Sequence, residues 1–194
     1  LADEVAQKKL GASVIASPDE ELSEILQQCF STPYFRVYRH VDRTGVELGG
    51  TLKNIFAIGA GIVDGLELGD NAKAAYLTRS LHELVRIGTA LGGEPQTFYG
   101  LTGLGDLMAT ASSPLSRNHR LGQAIARGTS LKDFTESTKM VVEGVEAAKI
   151  ASEWGKKLTL QLPITEELCR VLFDGRPPDI AAANLMGRSL KAET

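Results

Sequence analysis

Lys53 stands at the head of the longest apolar run of the sequence, Ile55–Val63, one helical turn after the pair Gly49-Gly50. A lysine in such a place must snorkel to water, find a partner, or lower its pKa and move protons. Glycine inside a helix costs about 1 kcal/mol against alanine, so two in a row imply that something approaches the backbone closely. A second candidate is Gly103-Leu104-Gly105-Asp106, where the carboxylate either caps a helix or orients the ammonium of a lysine. A third is Ser116-Arg117-Asn118. Hydroxyl, forked guanidinium and amide at an expected helix N-terminus form a receptor for a phosphate, since free backbone N–H groups and the helix dipole favour an anion there. The plainer reading is a cap followed by solvated polar residues, and His119 and Arg120 either extend the basic patch or form a wetted face. The fourth is Val141-Val142-Glu143-Gly144, whose carboxylate is a first-turn charge or an acceptor for a ribose or an amide.

These residues need a scaffold, and the patterning supplies one. Residues 1–9 read as a helix stopped by Gly11, and Ser13–Ala16 as a strand. Ser17 is the expected cap of the next helix, with Pro18 at its first position and Glu20 completing a capping box. Leu22, Ile25, Leu26, Cys29 and Phe30 share one face of that helix. Tyr34–Tyr38 alternates as a strand, so residues 12–39 read as strand, helix, strand, the tail of an α/β sheet. After Asp42 only helices are expected: 43–66, 72–91, a short one to Tyr99, one ending at Ala111, 117–126 capped by Ser116, a turn from Ser130 to Phe134, 143–154, 163–173 and 179–185. The boundary between the two parts falls near residue 42.

Composition narrows the function. The chain has 194 residues, 43% hydrophobic and 23% charged, as in ordinary soluble globular proteins. A net charge of −3 and 6% aromatic residues argue against nucleic-acid binding. Cys29 and Cys169 lie far apart without any CxxC, which argues against a disulfide scaffold or zinc site; on apolar helix faces both read as buried thiols in a reducing compartment. His40 and His82 have no partners at metal-ligand spacing and read as surface. No apolar run is long enough for a bilayer, because Gly59 and Gly61 interrupt Ile55–Val63. The start, Leu1-Ala2-Asp3-Glu4, has no initiating methionine and reads as a chain cut from something longer. There is no G-x-G-x-x-G after a strand and no P-loop.

Five motifs in order carry a resemblance: Ser31-Thr32-Pro33-Tyr34-Phe35-Arg36-Val37-Tyr38, Val46-Glu47-Leu48-Gly49-Gly50-Thr51-Leu52-Lys53-Asn54, Leu101-Thr102-Gly103-Leu104-Gly105-Asp106-Leu107, Ser116-Arg117-Asn118 and Val141-Val142-Glu143-Gly144. From Ala2 to about Gly187 the chain resembles the NAD(P)-dependent glycerol-3-phosphate dehydrogenases of the bacterial type. The resemblance implies a mainly α fold: an all-helical C-terminal substrate domain, like that of 6-phosphogluconate dehydrogenase, over residues 43–194. It is preceded by a β-α-β remnant of the dinucleotide-binding domain over residues 1–42; the rest of that Rossmann-like domain is absent, so this portion is expected to be inactive alone. The implied reaction interconverts sn-glycerol 3-phosphate and dihydroxyacetone phosphate with NAD or NADP, supplying glycerol phosphate for phospholipid synthesis in the cytoplasm. By the resemblance Lys53 is the catalytic lysine; Lys53, Asp106, Ser116, Arg117 and Asn118 contact substrate; and Ala2, Arg117, Val141 and Glu143 contact the dinucleotide. Asn54 carries no assignment. The family suggests a homodimer, with the glycine-rich helix packed against a partner, and neither nucleic acid nor membrane insertion. Two other readings compete: a related two-domain dehydrogenase with another substrate, and a non-catalytic helical binding or oligomerisation module, which would need none of Lys53, Asp106 and Arg117.

Overall fold

Two short parallel strands open the fold. The computed structural model describes residues 2–138, 141–190 and 192–193. After α1 (Ala2–Ala6), β1 (Gly11–Ala16) pairs with β2 (Phe35–His40) in the register Gly11↔Phe35 to Ala16↔His40, and α2 (Glu20–Phe30) crosses between them. The helix expected over residues 1–9 ends at Ala6; Lys8 adopts φ 60° and turns the chain, so Gly11 begins the strand instead of stopping the helix, and Leu1 lies outside the described residues. Asp19, not Ser17, caps α2, because its Oδ1 accepts the Leu22 N–H at 2.9 Å while the Ser17 hydroxyl takes the Asp19 N–H. Cys29, read from the sequence as a buried thiol, is exposed, as are Leu22, Ile25 and Phe30, because α2 turns its other side inward: Ser23 is buried and the Gln27 Nε2 donates to the Val37 carbonyl of β2 at 2.7 Å.

The helical part is built around α3 (Arg43–Gly65). Every residue from Asn54 to Val63 is buried on this helix, and neighbours cover it on all sides: α4 (Asp70–Ala90), α6 (Asp106–Ser112), α7 (Arg117–Ala126) and α9 (Glu143–Lys157). At 23 residues α3 is long and apolar enough to cross a membrane by length and composition, which the reading from Ile55–Val63 alone did not anticipate. The glycines that interrupt its apolar run are its contact points. A Cβ on Gly59 would overlap Tyr76 of α4, and one on Gly61 would overlap the His119 carbonyl of α7. Both glycines thus pack against helices of the same chain. The remaining helices are α5 (Pro95–Phe98), α8 (Leu131–Thr138), α10 (Pro163–Phe173) and α11 (Pro178–Met186).

Asp42 fixes the start of α3. Its Oδ1 accepts the Gly45 N–H at 2.8 Å; its Oδ2 accepts the Glu94 N–H at 2.8 Å and the Thr97 hydroxyl at 2.6 Å. Burial pushes this carboxyl up, but the hydrogen bonds from Thr97, Gly45 and Glu94 outweigh it and hold the group below its ordinary value. A carboxyl depressed in the folded state contributes stability above its unfolded pKa and loses it as pH falls through the folded one. Acid unfolding below about pH 4 should therefore be steeper in the native protein than in Asp42→Asn. Parallel midpoint-versus-pH curves for the two would show that Asp42 does not drive this dependence.

Candidate active site

Lys53 lies on the face of α3 that looks towards α6. Its Nζ is 2.5 Å from Asp106 Oδ2, and its side chain is only 18% exposed. A short π-helical turn, Leu101–Gly105, delivers the aspartate; the Gly105 N–H donates to the Gly100 carbonyl five residues back. This turn packs where the glycine pair of α3 makes room. A Cβ on Gly49 would come within 2.7 Å of the Thr102 carbonyl, and the Thr102 hydroxyl donates to the Val46 carbonyl at 2.9 Å. Gly103 in turn lies flat against the Phe98 backbone. The expected close approach is thus met at Gly49 by the π turn, whereas the space beside Gly50 is open. Asp106 makes no capping bond at the start of α6 and faces Lys53 instead. Thr110, one turn on, donates to Asp106 Oδ1 at 3.3 Å, which orients the carboxylate from behind.

Beside Lys53, the side chain of Asn54 turns into the core. Its Oδ1 accepts from Asn118 Nδ2 at 2.9 Å, and Asn118 Oδ1 accepts the Gly144 N–H at 3.0 Å. Asn54 Nδ2 also reaches Glu143 Oε2 at 3.4 Å. Two buried amides therefore tie α3, α7 and α9 together at one point. Asn118 is engaged inward, where the sequence put it among the substrate contacts, so its side chain anchors the turn that carries its neighbours. A buried asparagine in an apolar run demands a partner, and that was the signal by which Asn54 could have been found.

The other candidates gather on α7. Ser116 caps the helix, its Oγ accepting the His119 N–H at 3.2 Å, as expected. Arg117 is exposed at the first helical position; its Nη1 donates to the Val141 carbonyl at 2.9 Å and its Nη2 lies 3.9 Å from Glu143 Oε1. Arg117, Val141 and Glu143 thus form one edge. His119, one of the two readings of which was a wetted face, is buried with its Nε2 2.7 Å from Asp64 Oδ2. Ala2 opens α1, apart in sequence and element from this cluster. A cavity of about 450 Å³ between α3, α4, α10 and α11, lined by Ile62, Val63, Leu168 and Val171, contains none of these residues.

Residues 42–183 match the family model described as the C-terminus of NAD-dependent glycerol-3-phosphate dehydrogenase. The chain is 48% identical over 193 residues to a glycerol-3-phosphate dehydrogenase [NAD(P)+] of Gloeobacter violaceus, covering 100% of this chain and 63% of that protein. It is 52% identical over 192 residues to the protein of the same name from Thermus thermophilus, covering 99% of this chain and 59% of the relative. The crystal structure of glycerol-3-phosphate dehydrogenase from Coxiella burnetii superposes with a TM-score of 0.92 at 38% identity, over 97% of this chain and 58% of that one. The chain therefore spans about three-fifths of the length of the curated relatives it matches. By the match over residues 42–183, the chain belongs to the family of NAD-dependent glycerol-3-phosphate dehydrogenase C-terminal domains.

Proposed function

We propose that this chain is the substrate-binding and proton-transferring portion of an enzyme that interconverts sn-glycerol 3-phosphate and dihydroxyacetone phosphate with NAD or NADP. The observation that carries the reading is the Lys53–Asp106 pair, one residue from an amide bridge that leads directly to the N-terminal turn of α7. The phosphate ester would sit on that turn. The Arg117 and Asn118 backbone N–H groups occupy the first two helical positions, where an α-helix has no internal acceptors for them. The Ser116 hydroxyl and the Arg117 guanidinium would complete the anion site. This would place the ketone over the open backbone at Gly50, within reach of the Lys53 ammonium. Lys53 polarises the carbonyl and donates the proton to its oxygen; in the reverse direction it takes the proton from the hydroxyl. Asp106, steadied by Thr110, keeps the ammonium aimed.

A dinucleotide held here would supply the hydride to the carbonyl carbon, or receive it from that carbon in the reverse direction. Arg117, the Val141 carbonyl and the Glu143 carboxylate fit such a group, because they present a donor and two acceptors on one exposed edge beside the anion site. Ala2 would join them from the N-terminal unit. The unbridged thiols Cys29 and Cys169 accord with a cytoplasmic setting.

Arg117→Ala in the full-length protein should raise KM for dihydroxyacetone phosphate roughly tenfold to a hundredfold, the scale of one charge-assisted hydrogen bond, with a smaller effect on kcat. An unchanged KM would remove the phosphate from this turn. Unphosphorylated dihydroxyacetone should be a poor substrate for both forms, and equal use of the two ketones would point to a different substrate class.

A further inference from the structure

One partly buried cluster has no part in the chemistry above. Asp64, near the end of α3, accepts with a single oxygen, Oδ2, from Lys73 Nζ of α4 at 2.6 Å and from His119 Nε2 of α7 at 2.7 Å. His119 is the third residue of α7, two after Arg117. We infer that Asp64, held by Lys73, positions the anion-binding turn of α7 through His119 without itself touching substrate. The inference rests on the reading of that turn as the phosphate site.

Three observations support it. First, α3 and α7 meet through glycine. A Cβ on Gly61 would overlap the His119 carbonyl, and one on Gly122 would overlap the Ile58 carbonyl. At these points the backbones touch without interlocking side-chain ridges, so besides the packing of Leu121 and Ile125 the polar bonds help to fix rotation and register. Second, the bonds present pull in opposite directions. Asn118 reaches along α3 to Asn54 and His119 reaches to Asp64, residues roughly 15 Å apart by the rise of an α-helix. Together they resist both sliding and rolling of the turn. On a helix, His119 also projects roughly 200° round the axis from Arg117, so it holds the turn from the side away from the guanidinium.

Third, His119 is an uneconomical residue for packing alone. It is 5% exposed, and its Nδ1 is buried with no hydrogen-bond partner among the described residues. An apolar side chain would fill the space without leaving a polar atom unmatched. What the imidazole adds is the bond to Asp64; because an ionised carboxylate only accepts, Nε2 carries the proton. Burial pushes the Asp64 carboxyl up, but the bonds from Lys73 and His119 outweigh it and hold it below its ordinary value, so the anchor stays charged at neutral pH.

The test is steady-state kinetics on the full-length protein, with Arg117→Ala as the reference for a lost phosphate contact. Asp64→Asn and His119→Leu should each raise KM for dihydroxyacetone phosphate about tenfold while kcat stays within about threefold. His119→Gln, which keeps a donor able to reach Asp64, should return KM to within about threefold of the native value. Lys73→Met, a change at the partly exposed end of the cluster, should fold normally and raise KM about threefold. A merely structural role would lower the unfolding midpoint without this split between KM and kcat and without rescue by glutamine; that result, or unchanged KM in folded Asp64→Asn and Lys73→Met, overturns the inference. If Arg117→Ala raises KM and the cluster variants do not, the positioning role alone falls. If Arg117→Ala also leaves KM unchanged, the phosphate-site reading falls and the inference falls with it.

Discussion

Lys53→Ala in the full-length protein should lower kcat for reduction of dihydroxyacetone phosphate by roughly 100-fold or more, the usual scale for a positioned acid or base. Lys53 is the cation paired with Asp106, and it stands beside the buried bridge to α7. On the proposed reading, removing it would delete both the charge that polarises the ketone and the proton it needs, so the loss should appear in kcat more than in KM. Asp106→Asn keeps the shape and removes the aiming charge; its kcat should fall by less than that of Lys53→Ala, because the ammonium is still present. A Lys53→Ala protein with native circular dichroism and kcat within about threefold of the unaltered enzyme would take Lys53 out of the mechanism.

The largest expected effect on stability lies away from the site. Glu83 of α4 is buried, and it occupies the N-terminus of α10. Its Oε1 accepts the Ile164 N–H at 2.6 Å; its Oε2 accepts the Thr165 N–H at 3.0 Å and the Thr165 hydroxyl at 2.9 Å. Pro163 opens the helix and has no N–H, so Glu83 satisfies the next two donors of the first turn. Burial pushes the Glu83 carboxyl up while these bonds oppose it. Glu83→Ala strands three buried donors and should cost about 4 kcal/mol, lowering the midpoint of thermal unfolding by roughly 10 °C. A shift of under about 2 °C would mean that water or a rearranged α10 replaces the carboxylate.

Much of the framework could be read from the chain because local chemistry decides it. The spacing placed α3 at 43–66 and the structure has Arg43–Gly65; Pro163–Phe173 and the Ser116 cap came out as expected. Gly49 signalled a close approach, and the π turn makes it. The features that did not show depend on residues far apart in sequence. Asn54 and Asn118 are 64 positions apart, and His119 and Asp64 are 55 apart; no local pattern reveals that either pair meets. The π turn was hidden for another reason. Two glycines before an aspartate look like a cap, and only the packing of Gly49 and Gly103 against neighbouring backbone shows why they are there. The apolar stripe of α2 was read correctly as a helix face, but burial depends on what lies across from it, and in this chain α2 turns its other side inward and leaves Leu22, Ile25 and Phe30 exposed.

The most direct measurement is a crystal structure of the full-length protein with dihydroxyacetone phosphate bound. The account predicts the phosphate on the first turn of α7, in contact with Ser116 and Arg117, and the ketone oxygen about 3 Å from Lys53 Nζ. A phosphate bound on any other surface, or a ketone beyond hydrogen-bond reach of Lys53, would contradict it.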